Sequence, residues 1–265
     1  MPQYHHEKFI PIDSNLTVWR YINLKKFKSL LKEKSFFFCR ADKFADPFEG
    51  SIPKKEAEHR LEEAKRNASH PTTFELEKRA QLSIEPIKIL HRNIKRSFII
   101  NCWHINMNES DAMWKLYLKT NKGVAIQSTT NRLSKVINNA TEEIIISKVR
   151  YLNYDTDIWF DPVEYPHKNY NLFTPLIHKR KEFQHETELR LLHRIEEAID
   201  EDTYWDKQPN LIGKSIKLDI SQLIEKIYLP PTADSSFENH LKGIISKYGY
   251  NFELCRSKLS FEPTY

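Results

Sequence analysis

Glycine occurs five times in 265 residues. Dinucleotide-binding and P-loop folds need a glycine-rich turn after the first strand, so that backbone amides can approach phosphate closely. Neither GxGxxG nor GxxxxGK followed by Ser or Thr is present, and both classes are set aside. Fifteen Phe, twelve Tyr and five Trp argue against disorder, and the length supports a sizeable core. Helical and strand patterns are mixed without regular alternation and no boundary is visible, so the expectation is one α+β domain over 1–265.

The cysteines, Cys39, Cys102 and Cys255, are odd in number and have no CxxC spacing. That argues against a disulfide framework or a cysteine zinc site and fits a reducing, cytoplasmic setting. The opening "MPQYHHEKFIPID" lacks the features of a signal peptide, and no uncharged apolar run approaches the roughly 20 residues of a membrane span. No membrane association is expected. Net charge is +5, and residues 54–96 supply +4 of it, with eleven Lys or Arg against seven Glu. This stretch reads as two charged helices, about 54–68 and 73–95, broken near Pro71 and disturbed at Pro86, inserted against a sheet. It is a candidate nucleic-acid surface or a solvated helix face.

The pattern "KRKEFQHETELRLLHR" (179–194) sets Glu186 and Glu188, with one residue between them, at the mouth of an alternating apolar run. Read as a strand entered from a helix over "LFTPLIHKRKEF", it puts Glu186, Glu188 and Arg190 on one face and the leucines on the other. Two readings compete: a solvated ion-pair row, with Glu188 on Arg190 and Glu186 on Lys181, or a site handling a developing positive charge. Arg20, in the strand "VWRY", either pairs with a carboxylate at the core edge or binds an anion through its planar fork. Cys102 and His104 share a strand face in "NCWH", although a buried cysteine is more often inert packing. Met113, Trp114 and Tyr117 form one surface of a short helix, as core or as a stacking wall for a planar ring.

Asp42, Asp46 and Glu49 crowd the turn "ADKFADPFEG", whose Asp-Pro favours a turn over a metal loop. There is no HExxH, and the one Glu-x-Lys candidate for a nuclease, Glu63 with Lys65, falls in a helix pattern. No metal is expected.

Together, "VWRY", "FCRADKFADPFEG", "CWHINMNESDAMWKLYLKTNKGVAIQS" and "KRKEFQHETELR" resemble a bacterial group, domain-of-unknown-function family 2971, from about residue 17 to the last strand. More distantly, the layout resembles the ADP-ribosyltransferase fold, a compact mixed or antiparallel split sheet that binds NAD. That resemblance implies NAD as substrate and an acceptor that is protein or nucleic acid. Arg20 matches the Arg of the first strand, and Glu186-Thr187-Glu188 matches the family's E-x-E. It implies Glu188 as the catalytic carboxylate and Glu186 as orienter or base toward the acceptor. Arg20, Tyr21, Trp103, Trp114 and Tyr117 are implied as cofactor contacts. The middle strand departs from the pattern, with Cys102 and Trp103 where Ser-Thr-Ser is usual. Proteins of this kind often act as toxins or in phage defence. The alternatives are a nucleic-acid-processing protein and a non-catalytic interaction module.

Overall fold

The computed structural model describes residues 15–66, 73–118, 122–159, 172–195 and 211–263. Aromatic and β-branched residues make Thr17–Asn23 a strand, β1. Asn23 then accepts from the Lys26 amide and caps helix α1, Leu24–Glu33, whose apolar stripe is Phe27, Leu30 and Leu31. Lys34, left-handed at φ 51°, turns the chain into β2, Ser35–Arg40. Helices α2 (Lys54–Arg66) and α3 (Thr73–Ser97) follow. Helix α3 runs through Pro86, and the expected break at Pro71 lies outside the described residues.

Next come β3 (Phe98–Ile105), the short helix α4 (Asp111–Tyr117) capped by Ser110, β4 (Gly123–Thr129) and α5 (Thr130–Asn138). The remaining strands are β5 (Ile145–Lys148), β6 (Arg150–Leu152), β7 (His178–Arg180), β8 (Glu188–Arg194), β9 (Gly213–Lys217), β10 (Lys226–Tyr228) and β11 (Glu253–Cys255). Helices α6 (Ile220–Leu223) and α7 (Ser235–Lys247) lie between the last three.

Nine strands among the described residues join one mixed sheet, β11-β10-β4-β1-β3-β2-β9, with β8 on β3 and β5 on β8. Every pairing in it is antiparallel except β10 with β11, and β6 with β7 forms a separate parallel pair. The fold is α+β, as expected.

The decisive feature is how β3 is shared. Strand β8 pairs with it continuously from Phe98 to His104. Strands β1 and β2 must therefore share its other edge, β2 at Ile99 and Ile100 and β1 at His104 and Ile105. Between them the sheet is split at Asn101–Trp103. Unpaired backbone polar groups inside a protein need partners, and side chains supply them: Asn101 Nδ2 donates to the Phe37 carbonyl at 2.9 Å, and Arg20 Nη1 donates to the Cys102 carbonyl.

Cross-strand register assigns the faces. Cys102 lies opposite Arg190 and His104 opposite Glu188, each pair on one face, whereas Trp103 and Leu189 lie on the other. The latter face carries the main core, with Phe27, Phe38, Trp103, Leu189 and Leu191. A second cluster of Ile94, Phe98, Ile100, Leu176 and Leu192 lies where the C-terminal end of α3 meets the sheet, and a third joins Trp19, Tyr21, Met113 and Trp114 beside α4.

One expectation is corrected. The stretch 172–183 is not a helix: a 3-10 turn at Thr174–Leu176 leads into β7, and a second covers Lys181–Glu186. From this extended segment Lys179 reaches Glu186 and Glu188, and Arg180 reaches Asp46. The chain that forms β5 breaks at Val149, whose amide bonds to the Glu188 carbonyl, and β6 leaves for the second sheet.

Candidate active site

Glu186 and Glu188 do meet, but not by strand alternation. Glu186 ends the 3-10 turn, and Thr187 takes a left-handed conformation at φ 36° before β8 begins. A β-branched residue there is strained. Its hydroxyl is fixed by the Ile105 carbonyl at 2.8 Å and His104 Nδ1 at 2.9 Å, and its carbonyl accepts from the Ile105 amide. His104 Nδ1 also lies 2.7 Å from the Glu186 carbonyl. These contacts hold a turn that no single preference of the segment would select.

The two carboxylates converge on Lys179 of β7. Its Nζ lies 2.6 Å from Glu186 Oε2 and 2.8 Å from Glu188 Oε1. Arg190 takes the other Glu188 oxygen, Nε to Oε2 at 2.7 Å, and donates to the Leu176 carbonyl through Nη1. Its Nη2 lies 2.5 Å from Glu49 Oε1, an ion-pair contact off the hydrogen-bond direction. Glu49, Lys179, Glu186, Glu188 and Arg190 are all buried, with Arg190 fully so. The row is thus not solvated, and the partner of Glu186 is Lys179 rather than Lys181.

Burial alone would raise the Glu188 carboxyl, but Arg190, a hydrogen bond from Glu186 and Lys179 outweigh it and hold it well below the usual carboxylate range. Burial and the adjacent Glu188 push Glu186 up to about 7, against the pull of Lys179. Identical side chains two residues apart therefore become a permanent anion and a group that exchanges a proton near neutral pH.

Arg20 shares its face of β1 with the core residues Val18 and Ile22, yet its guanidinium turns into the split. Among the described residues no carboxylate pairs with it, and burial lowers its proton affinity. Cys102 sits between the two groups: Glu188, Arg190 and Arg20 all act on its thiol, and burial, the largest influence, raises it strongly. That keeps the thiol protonated and removes it as a nucleophile.

Of the aromatic candidates, Tyr117 reaches this region. The residue is 48% exposed, and burial of the hydroxyl raises its pKa, with Cys102, Glu186 and Glu188 adding to the rise and Arg20 opposing it. Tyr21 and Trp114 form a buried edge-on pair behind it, ring centroids 5.0 Å apart. Their polar atoms are occupied, Tyr21 by the Ser110 amide and Trp114 by Glu109. Trp103 is not brought to the site: it packs against Phe36 on the opposite face of the sheet.

Lys179, Glu49 and Tyr151 are the residues that sequence reasoning missed. Tyr151, on β6, accepts from the Glu188 amide at 2.8 Å. The "ADPFEG" turn reaches the cluster because each of its acids finds a guanidinium: Asp42 on Arg40, Asp46 on Arg180 and Glu49 on Arg190. Gly50 makes this close approach feasible. It sits at φ 69°, and a Cβ there would lie 2.7 Å from the Lys95 side chain.

Comparison with known families matches residues 113–191 to a model described as "Protein of unknown function (DUF2971)". The chain resembles that family. The matched stretch runs from α4 into β8 and holds Tyr117, Lys179, Glu186, Glu188 and Arg190. It is narrower than the reach to the last strand that the motifs suggest. Among solved structures, Thermus sp. 2.9 DarT in complex with NAD+ is similar at 8% identity and a TM-score of 0.41, covering 95% of this chain and 100% of that one. The same protein in complex with ADP-ribosylated ssDNA is similar at 9% identity and a TM-score of 0.40, over 96% and 100%. No curated protein matches the sequence.

Proposed function

We propose that the chain binds NAD across the split of its sheet and cleaves the nicotinamide–ribose bond, passing ADP-ribose to an acceptor. The observation that carries this reading is the juxtaposition around Cys102: Arg20, a cation with no carboxylate partner among the described residues, on one side, and Glu188, a fixed anion, on the other. A guanidinium without a carboxylate suits phosphate, which it can bind bidentately. An anion at the far side of the same crevice suits positive charge.

The chemistry follows. When the bond from ribose C1′ to nicotinamide breaks, its electron pair leaves with the nicotinamide nitrogen and positive charge builds on the ribose. The Glu188 carboxylate, oriented by Lys179 and Arg190, stabilises that charge more than the ground state. The acceptor attacks C1′ and loses its proton to Glu186, whose affinity near pH 7 suits a general base. Tyr117 walls the ring, with Tyr21 and Trp114 supporting it from behind.

For the acceptor, the surface favours nucleic acid. Arg92 and Arg96 stand four residues apart on α3 beside Arg40, with Asp42 the acid acting on Arg96. Across the turn, Arg180 stacks on Phe48 at 4.3 Å, and Phe48 is 46% exposed. Cations for phosphate beside a half-exposed aromatic ring are the elements of single-strand binding. An effector acting in the cytoplasm, of toxin or phage-defence type, is part of the same proposal.

The test is nicotinamide release from NAD by purified protein, with Glu188→Gln and Arg20→Ala, with and without nucleic acid. Release that both folded variants lose supports the reading. No release under any condition overturns it. Growth arrest on expression, relieved by Glu188→Gln, is expected of an effector.

A further inference from the structure

Two carboxylates side by side in a buried site cannot both ionise unless a cation stands between them. Lys179 stands there, and the geometry around it is unequal. Glu188 has a second cation, Arg190 at 2.7 Å, whereas Glu186 has Lys179 alone among the described residues. The ammonium is itself shut in: the side chain is 8% exposed, and the Phe183 ring lies 4.7 Å from Nζ.

We propose that Lys179 is a positioning residue: shared between two carboxylates of which one has a further cation, it makes Glu188 the fixed anion and Glu186 the proton acceptor. The other groups facing Glu186 are Glu188 from β8, the Tyr117 hydroxyl from α4 and the Tyr151 hydroxyl from β6. His104 of β3 touches only its backbone carbonyl. Neither tyrosine carries charge at neutral pH, since burial raises both. Lys179 is therefore the one charge in this set that favours an ionised Glu186. Without it, burial and Glu188 would keep Glu186 protonated at neutral pH, where it could take no proton from an acceptor.

The use of that proton rests on the transferase reading, but the assignment does not, and the two are tested separately. Carboxyl-carbon NMR titration of the folded protein, with Glu186→Gln identifying the resonance, reads the assignment without NAD. Glu186 is expected to titrate at about 7 in the native chain. Its midpoint should rise by about one pH unit or more in Lys179→Met, and stay within about half a unit in Lys179→Arg. A native midpoint below about 5, or an unmoved midpoint in folded Lys179→Met, overturns the proposal. If Lys179→Met does not fold, Lys179→Gln replaces it, keeping a hydrogen-bond donor between the carboxylates without the charge; the same rise is expected there, and an unmoved midpoint overturns the proposal. In the NAD assay, the acidic limb of the pH–rate profile should move to higher pH with the NMR midpoint. A moved midpoint in a protein that cleaves no NAD leaves Lys179's role standing and removes the transferase reading.

Discussion

Replacing Glu188 with Gln separates a catalytic carboxylate from a structural one. The buried cluster holds three carboxylates, Glu49, Glu186 and Glu188, and two cations, Lys179 and Arg190. Removing the Glu188 charge leaves two of each, with Lys179 still 2.6 Å from Glu186 and Arg190 2.5 Å from Glu49. No charge is stranded, so the roughly 3–5 kcal/mol of a broken buried pair does not apply. What is lost is the charged character of two hydrogen bonds, at 2.8 and 2.7 Å, while an amide keeps the shape and one acceptor oxygen. The expected cost is about 1.5–3 kcal/mol, a fall in Tm of roughly 3–6 °C for a chain of this size. NAD cleavage should fall by about 10²–10³-fold or more, the order seen when one electrostatic stabiliser of a transition state is removed. Glu186 should respond as well. Its like-charged neighbour gone, its midpoint drops from about 7 toward the ordinary range. Calorimetry, nicotinamide release and the titration read these three effects in one variant. A folded Glu188→Gln protein that cleaves NAD within a few-fold of the native rate would refute the assignment of Glu188.

Arg20→Ala should raise the KM for NAD about 10–100-fold, the equivalent of losing charged hydrogen bonds of roughly 1.5–3 kcal/mol, and steady-state kinetics reads it. Trp103→Leu should instead cost about 2–4 kcal/mol of stability in denaturant unfolding and leave that KM unchanged, because the ring lies in the main core. Burial lowers both His91 and His178 to about 4, so the folded chain binds fewer protons than the unfolded one between their ordinary value and that point. Stability should therefore be full above about pH 6.5 and fall as pH drops toward 4, by on the order of 2–3 kcal/mol for each histidine. Urea midpoints measured across pH 4–7 check it, and His178→Gln should flatten the slope.

The parts legible in the sequence were those set by local pattern. The strand at 17–23, the helix capped by Asn23 and the buried stripe at Phe27, Leu30 and Leu31 follow from spacing and residue type. So does the meeting of Arg190 with Glu188, two residues apart on a real strand. The route by which Glu186 joins them was not legible. Alternation predicts a strand through Thr187, whereas long-range contacts from His104 and Ile105 force a left-handed turn there. Lys179 reads as part of a helix over 172–183, whereas its carboxylate partners, Glu186 and Glu188, meet it only once β7 and β8 are in place. Glu49 reads only as one of three acids around a turn, because its partner lies 141 positions away in sequence. Pairings of that span carry no local signal. The place of Trp103 is a different case: the period-two rule that put Cys102 and His104 on one face already sent it to the other.

The split sheet explains why Arg20, which pairs with no carboxylate among the described residues, and the anion of Glu188 can coexist so close together. In a continuous sheet the Cys102 carbonyl would be taken by a neighbouring strand, and a guanidinium at Arg20 would have to find a carboxylate or leave the core. Because β1 and β2 meet β3 at opposite ends, the gap leaves that carbonyl to Arg20 and holds the side chain in place with a neutral partner. One hydrogen bond to a carbonyl positions the cation without cancelling its charge. On the other edge of β3, β8 is fully paired and presents Glu188 from a rigid strand. The anion is neutralised locally by Lys179 and Arg190, so it does not collapse onto Arg20. The topology thus keeps two opposite charges apart across Cys102, whose thiol burial keeps neutral. Filling the split should abolish this separation. In Cys102→Glu the new carboxylate would pair with Arg20 or Arg190 and block the crevice, and NAD cleavage should vanish. Cys102→Ser keeps the volume and should retain activity within a few-fold. Equal loss in both folded variants would mean that Cys102 contributes more than a neutral spacer.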